Sequence, residues 1–310
     1  MTCFRSAVWL VAGLAMAGSV AAQERDFSKV EVTSAKLAEG VYMLTGAGGN
    51  VGVSAGESGV FLVDDQYAPL TPKIKAAVAA ISPKPIRFVL NTHWHGDHTG
   101  GNENLGGEGV LIVAHDNVRR RMSTEQFSEL FGSKTPPAPA PALPVVTFSD
   151  TATFHLNGDE IAAFHVAPAH TDGDSVIHFR KANVIHMGDL FFNGNYPFVD
   201  LSSGGSFEGV IAAADKVLPL CNEATKIIPG HGPVAAKADL VAYRAVLVGV
   251  RDAIKPLVAA GKTLDEVKAA KPTAPWDEKW GKGFIKPDVL VETVYKSLKG
   301  RGPLNSQRDY

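Results

Sequence analysis

The chain has 310 residues, 45% of them hydrophobic, and a formal net charge of −2 at pH 7. This composition is ordinary for a globular protein with a large hydrophobic core. The weak negative charge disfavours a nucleic-acid partner, because phosphate binding requires a clustered positive surface.

The first 22 residues predict a secretory signal peptide. Arg5 supplies the positive n-region, an apolar run follows, and small residues lead to a cleavage point after Ala22. The apolar run is shorter than the roughly 20 residues of a membrane-spanning helix. We therefore expect a periplasmic or secreted protein that is not inserted in the membrane after cleavage. Cleavage also removes Cys3 and leaves Cys221 alone, which excludes an internal disulfide and favours a buried small side chain over a nucleophile.

The next stretch, roughly residues 41–145, alternates strand-like and helical segments. Short apolar runs between glycines over residues 41–64 predict antiparallel strands with tight turns. Further predicted elements are a helix over TPKIKAAVAAI (71–81) with Thr71 as N-cap and Pro72 at N1, buried strands at IRFVLN (86–91) and VLIVA (110–114), and an extended proline-rich surface loop over 133–144.

A second block, roughly residues 146–232, repeats this alternation. Its predicted strands are VVTF, ATFHL, EIAAFHV, SVIHF, NVIHM and KIIPG, and its predicted helix spans 206–218. From about residue 235 the pattern is helical to the end, with breaks at Pro256, Pro272, Pro275 and Pro287. Two sheets packed face to face with helices outside fit this order, in a single domain over residues 23–310 with a helical C-terminal extension over about 235–310.

The strongest chemical signal is N-T-H-W-H-G-D-H, which follows directly on the strand IRFVLN. In an extended chain, residues i, i+2 and i+4 point to the same side, which places His93, His95 and Asp97 on one face. Gly96 allows a turn, so that His98 faces a second centre. Imidazole and carboxylate are the zinc ligands of a site that offers no thiolate.

Three further residues stand where predicted strands meet loops rich in glycine. His170 lies in P-A-H-T-D-G-D, Asp189 in H-M-G-D-L-F-F, and His231 in I-I-P-G-H-G-P. Glycines leave room for close approach to an ion, and loops at strand ends often hold functional side chains. Together with the first motif, these residues predict a site for two metal ions.

With these motifs in this order, the chain resembles the metallo-β-lactamase superfamily over roughly residues 40–235. The resemblance implies an α/β fold, an αββα sandwich of two mixed sheets with the site at one edge. It implies that Asp189 bridges the metals and that Asp64, in L-V-D-D-Q, braces the metal loop. The implied ligands are His93, His95 and His170 for the first metal, and Asp97, His98 and His231 for the second.

Two Zn²⁺ ions per chain would supply a hydroxide near neutral pH, and we expect it to attack the carbonyl of a small-molecule substrate. Asp97 would relay a proton to the leaving group. Members of the family that hold redox di-iron sites carry Glu at the position of His95, so His95 favours zinc. Serine and cysteine nucleophiles are disfavoured, because the sequence shows neither G-x-S-x-G nor a Cys–His pairing.

The substrate is less sharply indicated. β-Lactamases of the family usually carry Cys or Ser where this chain has Asp189, which instead resembles glyoxalase II and lactonases. Export argues against the thioester of glyoxalase II, and Phe192 stands where acyl-homoserine lactonases have Tyr. The segment D-G-D-S-V after His170 resembles the exported β-lactamases with Asp-His-His at the second metal. We therefore expect a cyclic amide or ester, with β-lactams as at least weak substrates, and a thioesterase or lactonase as the alternative.

Trp94, Asn195 and Tyr196 are candidate walls of the substrate pocket, since aromatic and glycine-rich segments beside a metal can clamp an apolar ligand. A different class of function stays open, a periplasmic metal-dependent binding or relay protein of a quinoprotein system. A nuclease is disfavoured, because nucleases of the superfamily carry additional domains for RNA or DNA. The sequence leaves the oligomeric state open.

Overall fold

A computed structural model describes residues 26–300 of the chain. The predicted signal peptide lies outside the described residues. Two large mixed sheets with helices on their outer faces form the described part, which confirms the predicted αββα sandwich. The helices of residues 26–300 include none that is both long and apolar enough to span a bilayer.

The first sheet has the strand order β1-β2-β3-β4-β5-β6-β9. Strands β1 to β4 pair antiparallel, as predicted for residues 41–64, whereas β4, β5, β6 and β9 pair parallel. The bounds are β1 Thr33–Ala38, β2 Val41–Thr45, β3 Val51–Gly56, β4 Gly59–Val63, β5 Ile86–Leu90, β6 Leu111–His115 and β9 Val146–Phe148. The assignment of VVTF to the second block was wrong, because Val146 pairs with Val113 of β6.

The second sheet has the order β10-β11-β12-β13-β14-β15, and only β13 and β14 pair parallel in it. Its strands are β10 Thr151–Leu156, β11 Asp159–His165, β12 Ser175–Phe179, β13 Val184–Phe192, β14 Lys226–His231 and β15 Ala235–Ala236. Strand β13 is buried along its whole length and continues beyond the predicted run NVIHM, so Asp189 lies within the strand.

A small hairpin of β7 (Gln126–Ser128) and β8 (Ser133–Thr135) stands apart from the two sheets. The proline-rich segment 133–144 was predicted as an extended loop throughout. Its first residues instead form β8, and Ala140–Ala142 forms a short 3₁₀ turn. Prolines are compatible with both, since they follow β8 and begin the turn.

The helices are α1 Thr71–Ile81, α2 Gly96–Thr99, α3 Asn102–Gly107, α4 Asp116–Met122, α5 Phe207–Val217, α6 Lys237–Ala259, α7 Leu264–Ala269, α8 Ala274–Trp280 and α9 Pro287–Lys299. The predicted cap of α1 was off by one residue, because Leu70 is the N-cap and Thr71 already lies in the helix. Helix α6 continues through Pro256 to Ala259. Pro256 stands in the last turn, where it removes one helical hydrogen bond and its ring crowds the carbonyl of Asp252, and the helix ends three residues later.

Among the described residues, three large apolar layers and a smaller cluster around Trp94 hold this arrangement together. One lies between the two sheets and includes Phe61, Ile177 and Ile228. A second joins α1 to the outer face of the first sheet. The third and largest packs α5, α6 and α9 on the outer face of the second sheet, and it contains Cys221, which is buried as predicted. The C-terminal helices thus complete the outer layer of the second sheet.

Candidate metal centre

The predicted ligands converge at one edge of the sandwich, although they come from four separate segments of the chain. Ligand atoms of His93, His95, His170 and Asp189 all lie within 4.8 Å of one another, and so do those of Asp97, His98 and His231. The motif after β5 turns into α2 at Gly96, which separates His93 and His95 from His98. The tertiary structure therefore divides the seven residues between two centres as the family resemblance implies.

Asp189 stands between these centres. Its Oδ1 lies 3.1 Å from Nε2 of His98 and 3.3 Å from Nε2 of His231. Its Oδ2 faces the other group, at 3.6 Å from Nε2 of His170 and 4.0 Å from Nε2 of His93. A carboxylate placed in this way offers one oxygen to each of two ions.

Each of four imidazoles has one nitrogen bound to a protein acceptor, which leaves the other nitrogen as a lone-pair donor toward the centre. Nδ1 of His98 lies 2.8 Å from Oδ2 of Asp64, and Nδ1 of His170 lies 2.8 Å from the carbonyl oxygen of Phe198. His95 is inverted, with Nε2 on Asp200 and Nδ1 facing His170. Such partners fix the tautomer and the ring orientation of a metal ligand.

His93 completes the set through Thr92. The Thr92 hydroxyl donates to Oδ2 of Asp64 at 2.8 Å, so it accepts from Nδ1 of His93 at 3.0 Å. Asp64 also accepts the Thr92 backbone N–H at 2.7 Å, which ties the end of β4 to the loop after β5. The predicted bracing residue, Asp64, thus contacts the ligand loop at Thr92 and at His98.

The residues present fit a pair of metal ions. Nε2 of His93 and Oδ1 of Asp189 are both buried without a hydrogen-bond partner. Burying such polar atoms unpaired is costly, so an ion that they bind accounts for them. Glycines make the space, since a Cβ at Gly49 would overlap the ring of His98 and one at Gly230 would overlap Asp189.

A family model described as the metallo-β-lactamase superfamily matches residues 44–231, which is more than half of the chain and spans all seven residues. The chain belongs to the metallo-β-lactamase superfamily. Its site is the His/Asp centre that the family resemblance implied.

The individual relatives are distant. The chain is 25% identical over 142 residues to the α subunit of 2,4-dinitroanisole O-demethylase from Nocardioides sp. (strain JS1661), covering 45% of this chain and 40% of the relative. It is 26% identical over 153 residues to a hydroxyacylglutathione hydrolase from Pelagibacter ubique (strain HTCC1062), covering 47% of this chain and 52% of the relative. The chain thus spans about half, or less, of the length of these curated relatives.

Solved structures agree on the fold. The crystal structure of DIM-1 metallo-β-lactamase is similar with a TM-score of 0.57 and 18% identity, over 71% of this chain and 98% of that one. The stereoselective inverting sec-alkylsulfatase Pisa1 from Pseudomonas sp. gives a TM-score of 0.66 at 18% identity, over 88% of this chain and 51% of that one. At this level of identity the likeness concerns the fold alone.

The electrostatics of this superfamily member differ between the two centres. Burial, followed by the charge of neighbouring imidazoles, holds the pKa of His93 well below its usual value. Burial also lowers the pKa of His170 to about 4. Burial alone would lower the pKa of His231 too, but the nearby Asp189 and Asp97 outweigh it and raise that pKa to about 9. In the metal-free protein His93 and His170 are therefore neutral near pH 7, whereas His231 holds a proton that a metal ion must displace.

Asp200 escaped the sequence analysis, although its Oδ2 lies 3.0 Å from Nε2 of His95. Its other oxygen caps a 3₁₀ turn, accepting from the backbone N–H groups of Ser202 and Ser203. The local sequence D-L-S-S could have indicated such a cap, but nothing in it points to a histidine 105 residues earlier. Trp94 joins the same network by donating from Nε1 to the Ser203 hydroxyl at 3.1 Å.

A cavity of about 700 Å³ opens onto the second centre, and Asp97, Asp189 and His231 lie in its wall. The three candidate pocket residues, Trp94, Asn195 and Tyr196, also line it. Trp94 and Tyr196 present little surface, being 9% and 1% exposed. The Tyr196 hydroxyl donates to Asp277 at 2.9 Å instead of facing the cavity. Phe131 and Phe284, which the sequence analysis did not single out, line the same cavity.

Proposed function

We propose that this chain is a zinc-dependent hydrolase with two Zn²⁺ ions per chain, acting on the carbonyl of an ester or a cyclic amide. The observation that carries the proposal is the opposite orientation of the rings of His95 and His170. His95 is held by the protein at Nε2 and His170 at Nδ1. Nδ1 of His95 and Nε2 of His170 lie 2.9 Å apart while their other nitrogens are held by protein acceptors. That arrangement orients lone pairs toward a shared cation.

In this proposal His93, His95 and His170 hold one ion, Asp97, His98 and His231 hold the other, and Asp189 contacts both. Bound zinc lowers the pKa of a water molecule and polarises a carbonyl oxygen. The protein contributes orientation of the ligands through Asp64, Thr92 and Asp200. The side chain of Asp97 is 23% exposed and faces the cavity, so it is placed to pass a proton to a leaving atom.

The choice of a carbonyl substrate is supported by the names of the relatives. They include a hydroxyacylglutathione hydrolase, and the structural neighbours include metallo-β-lactamases. β-Lactams would be at least weak substrates, and a thioesterase or lactonase is the alternative. The signal-like residues 1–22 favour a periplasmic or secreted location, with a small molecule as the partner of the site.

The test is metal analysis combined with turnover of four substrates by the zinc-loaded protein. The panel holds a chromogenic cephalosporin, a lactone, a thioester and a phosphodiester. We expect two zinc ions per chain and turnover of at least one carbonyl substrate. His95→Ala should abolish it, whereas His155→Ala, at an exposed histidine on β10, should leave it unchanged.

Two results would contradict the proposal. Turnover of the phosphodiester alone would contradict the proposal that the substrate is attacked at a carbonyl. Two bound zinc ions with no turnover of any substrate would favour the other class, a metal-dependent binding or relay protein.

A further inference from the structure

Three phenylalanines from distant segments meet at the mouth of the cavity. Phe131 comes from the turn of the β7–β8 hairpin, Phe198 from the loop after β13, and Phe284 from the segment between α8 and α9. The ring centroids of Phe131 lie 5.9 Å from those of both Phe198 and Phe284, and Phe198 and Phe284 are 6.4 Å apart. We call these residues the phenylalanine trio.

The trio is continuous with the metal centre. The ring of Phe198 stacks on that of His95 at 5.6 Å and 20°. Phe131 and Phe284 extend outward from there and are 56% and 66% exposed. Exposed aromatic clusters mark binding sites, since apolar surface is otherwise buried in the core. The rings line the same cavity as Asp97 and His231. A small molecule that packs against the rings therefore also reaches the metal centre.

The hairpin that carries Phe131 is fixed to the body of the protein. The backbone N–H of Glu129 donates to the Ser202 hydroxyl at 3.0 Å, and Lys296 of α9 lies 3.4 Å from the Glu129 carboxylate. These contacts hold Phe131 opposite Phe198 and Phe284. The apolar wall is thus a built feature of the cavity.

The charged side chains of the cavity wall indicate which substrate charge the cavity accepts. Among the described residues that line it, Arg121 is the one Arg or Lys side chain. Its guanidinium forms a two-point pair with Asp172, with both N···O distances 2.7 Å, and donates to Gln126. A paired Arg has little capacity left for a substrate carboxylate or phosphate. Asp200 adds a negative charge to the same wall, whereas the charges of Asp97 and Asp189 are offset by the zinc ions that they would bind.

We infer that the substrate is an uncharged ester with a hydrophobic alkyl or aryl arm, which packs against the phenylalanine trio while its carbonyl lies at the metal centre. This inference rests on the proposed hydrolase function and specifies its substrate class. Aromatic side chains supply large apolar contact areas, and the exposed rings gain most when a ligand covers them.

A binding experiment tests the trio without any turnover. The neutral apolar fluorophore N-phenyl-1-naphthylamine is titrated into the zinc-loaded protein and into Phe131→Ala, Phe284→Ala and the double variant. Phe127→Ala is the matched control, because Phe127 is 53% exposed on the same hairpin but does not line the cavity. We expect the dissociation constant to rise by about tenfold in the double variant and to stay unchanged in Phe127→Ala.

Both phenylalanines are largely exposed, so their removal should leave the fold intact, and circular dichroism checks this. If the double variant does not fold, the two single variants decide the question. Unchanged probe binding in the folded variants would overturn the inference.

A second experiment compares two esters that differ in charge. Ethyl hexanoate and the monoethyl ester of adipic acid have acyl chains of the same length, and the second ends in a carboxylate. We expect kcat/KM to favour the neutral ester by at least about tenfold, and the double variant to narrow this ratio through KM. If kcat/KM is equal for the two esters or higher for the charged one, the inferred substrate class is wrong, whereas the proposed hydrolase function stands. Turnover of neither ester nor of the four earlier substrates, with probe binding that depends on the trio, would sink the hydrolase and keep the apolar ligand.

Discussion

The carboxylate of Asp200 lies 3.0 Å from Nε2 of His95 and thereby turns the other ring nitrogen of His95 toward His170. Burial would raise the pKa of Asp200, but the hydrogen bond and the charge of His95 outweigh it and lower that pKa to about 2. Asp200 is therefore ionised at neutral pH. A buried anion at this position makes Nδ1 the basic nitrogen of the ring.

Replacing Asp200 by Asn should weaken zinc binding by about tenfold to a hundredfold, because the amide keeps the size but loses the charge that orients His95. Competition with a chelator of known affinity measures the effect. The exposed Asp252→Asn serves as the control for a lost surface charge. Wild-type zinc affinity in Asp200→Asn would show that the contact does not orient the ligand.

Alanine at Gly49 or at Gly230 should reduce the zinc content of the purified protein. A Cβ at Gly49 would overlap the His98 ring, and one at Gly230 would overlap Oδ1 of Asp189, so each must displace a ligand. Gly107→Ala is the control, since a Cβ there would meet no atom within 4 Å. Elemental analysis after dialysis gives the comparison. Full zinc occupancy in both site variants would mean that the ligands can shift without losing the ions.

His186 should stay neutral in the folded protein down to about pH 4. Burial lowers its pKa to about 4, while its Nε2 lies 3.1 Å from the Asn50 carbonyl oxygen and its Nδ1 accepts from the Gly188 N–H. In the unfolded chain it protonates near its usual 6.5, so below that pH the unfolded state binds more protons. The free energy of unfolding is therefore highest above pH 6.5 with respect to this group, and it falls by about 3 kcal/mol as the pH decreases from 6.5 toward 4.

Nuclear magnetic resonance of the imidazole of His186, assigned by His186→Gln, would follow this titration. Denaturant unfolding at pH 7 and at pH 4.5 gives the matching loss of stability. A midpoint near 6.5 for His186 in the folded state would contradict the prediction.

Asp97→Asn should lower kcat strongly, by about a hundredfold, if Asp97 delivers the proton to the leaving group. Its Oδ2 lies 3.3 Å from Nε2 of His231, so the variant also tests metal binding. Burial would raise the pKa of Asp97, but the charges of His98 and His231 outweigh it and lower the pKa to about 2 in the metal-free protein. Measuring kcat at matched zinc occupancy separates the two roles. Unchanged kcat with two zinc ions bound would reject the proton-relay role.

Local chemistry was enough to find the ligands and much of the secondary structure. The spacing of His93, His95 and Asp97 is a property of one short segment, and glycines mark the loops of His170 and His231. Helix α1 matches its predicted bounds because its apolar periodicity and Pro72 are local signals too. The assignment of the ligands to two centres came from the family resemblance, and the structure reproduces it.

The ends of strands and the strands with which they pair were harder to predict. VVTF has the pattern of a strand wherever it pairs, so its alternation could not show that β9 closes the first sheet. Strand β13 runs through Gly188 to Phe192 because both faces are buried, although the glycine in M-G-D suggested an end. Burial on both faces is set by the other layers of the sandwich and leaves no mark in a short window of sequence.

The sequence by itself determined which side chains form the candidate metal centre and near which strands they lie. Coordination chemistry and backbone periodicity act over a few residues, so a short segment is enough to reveal them. Only the tertiary structure decided that Asp200 orients His95 and that Phe131, Phe198 and Phe284 share one wall. Those relationships join residues tens to more than a hundred positions apart. They arise from the packing of sheets and helices, which no local pattern encodes.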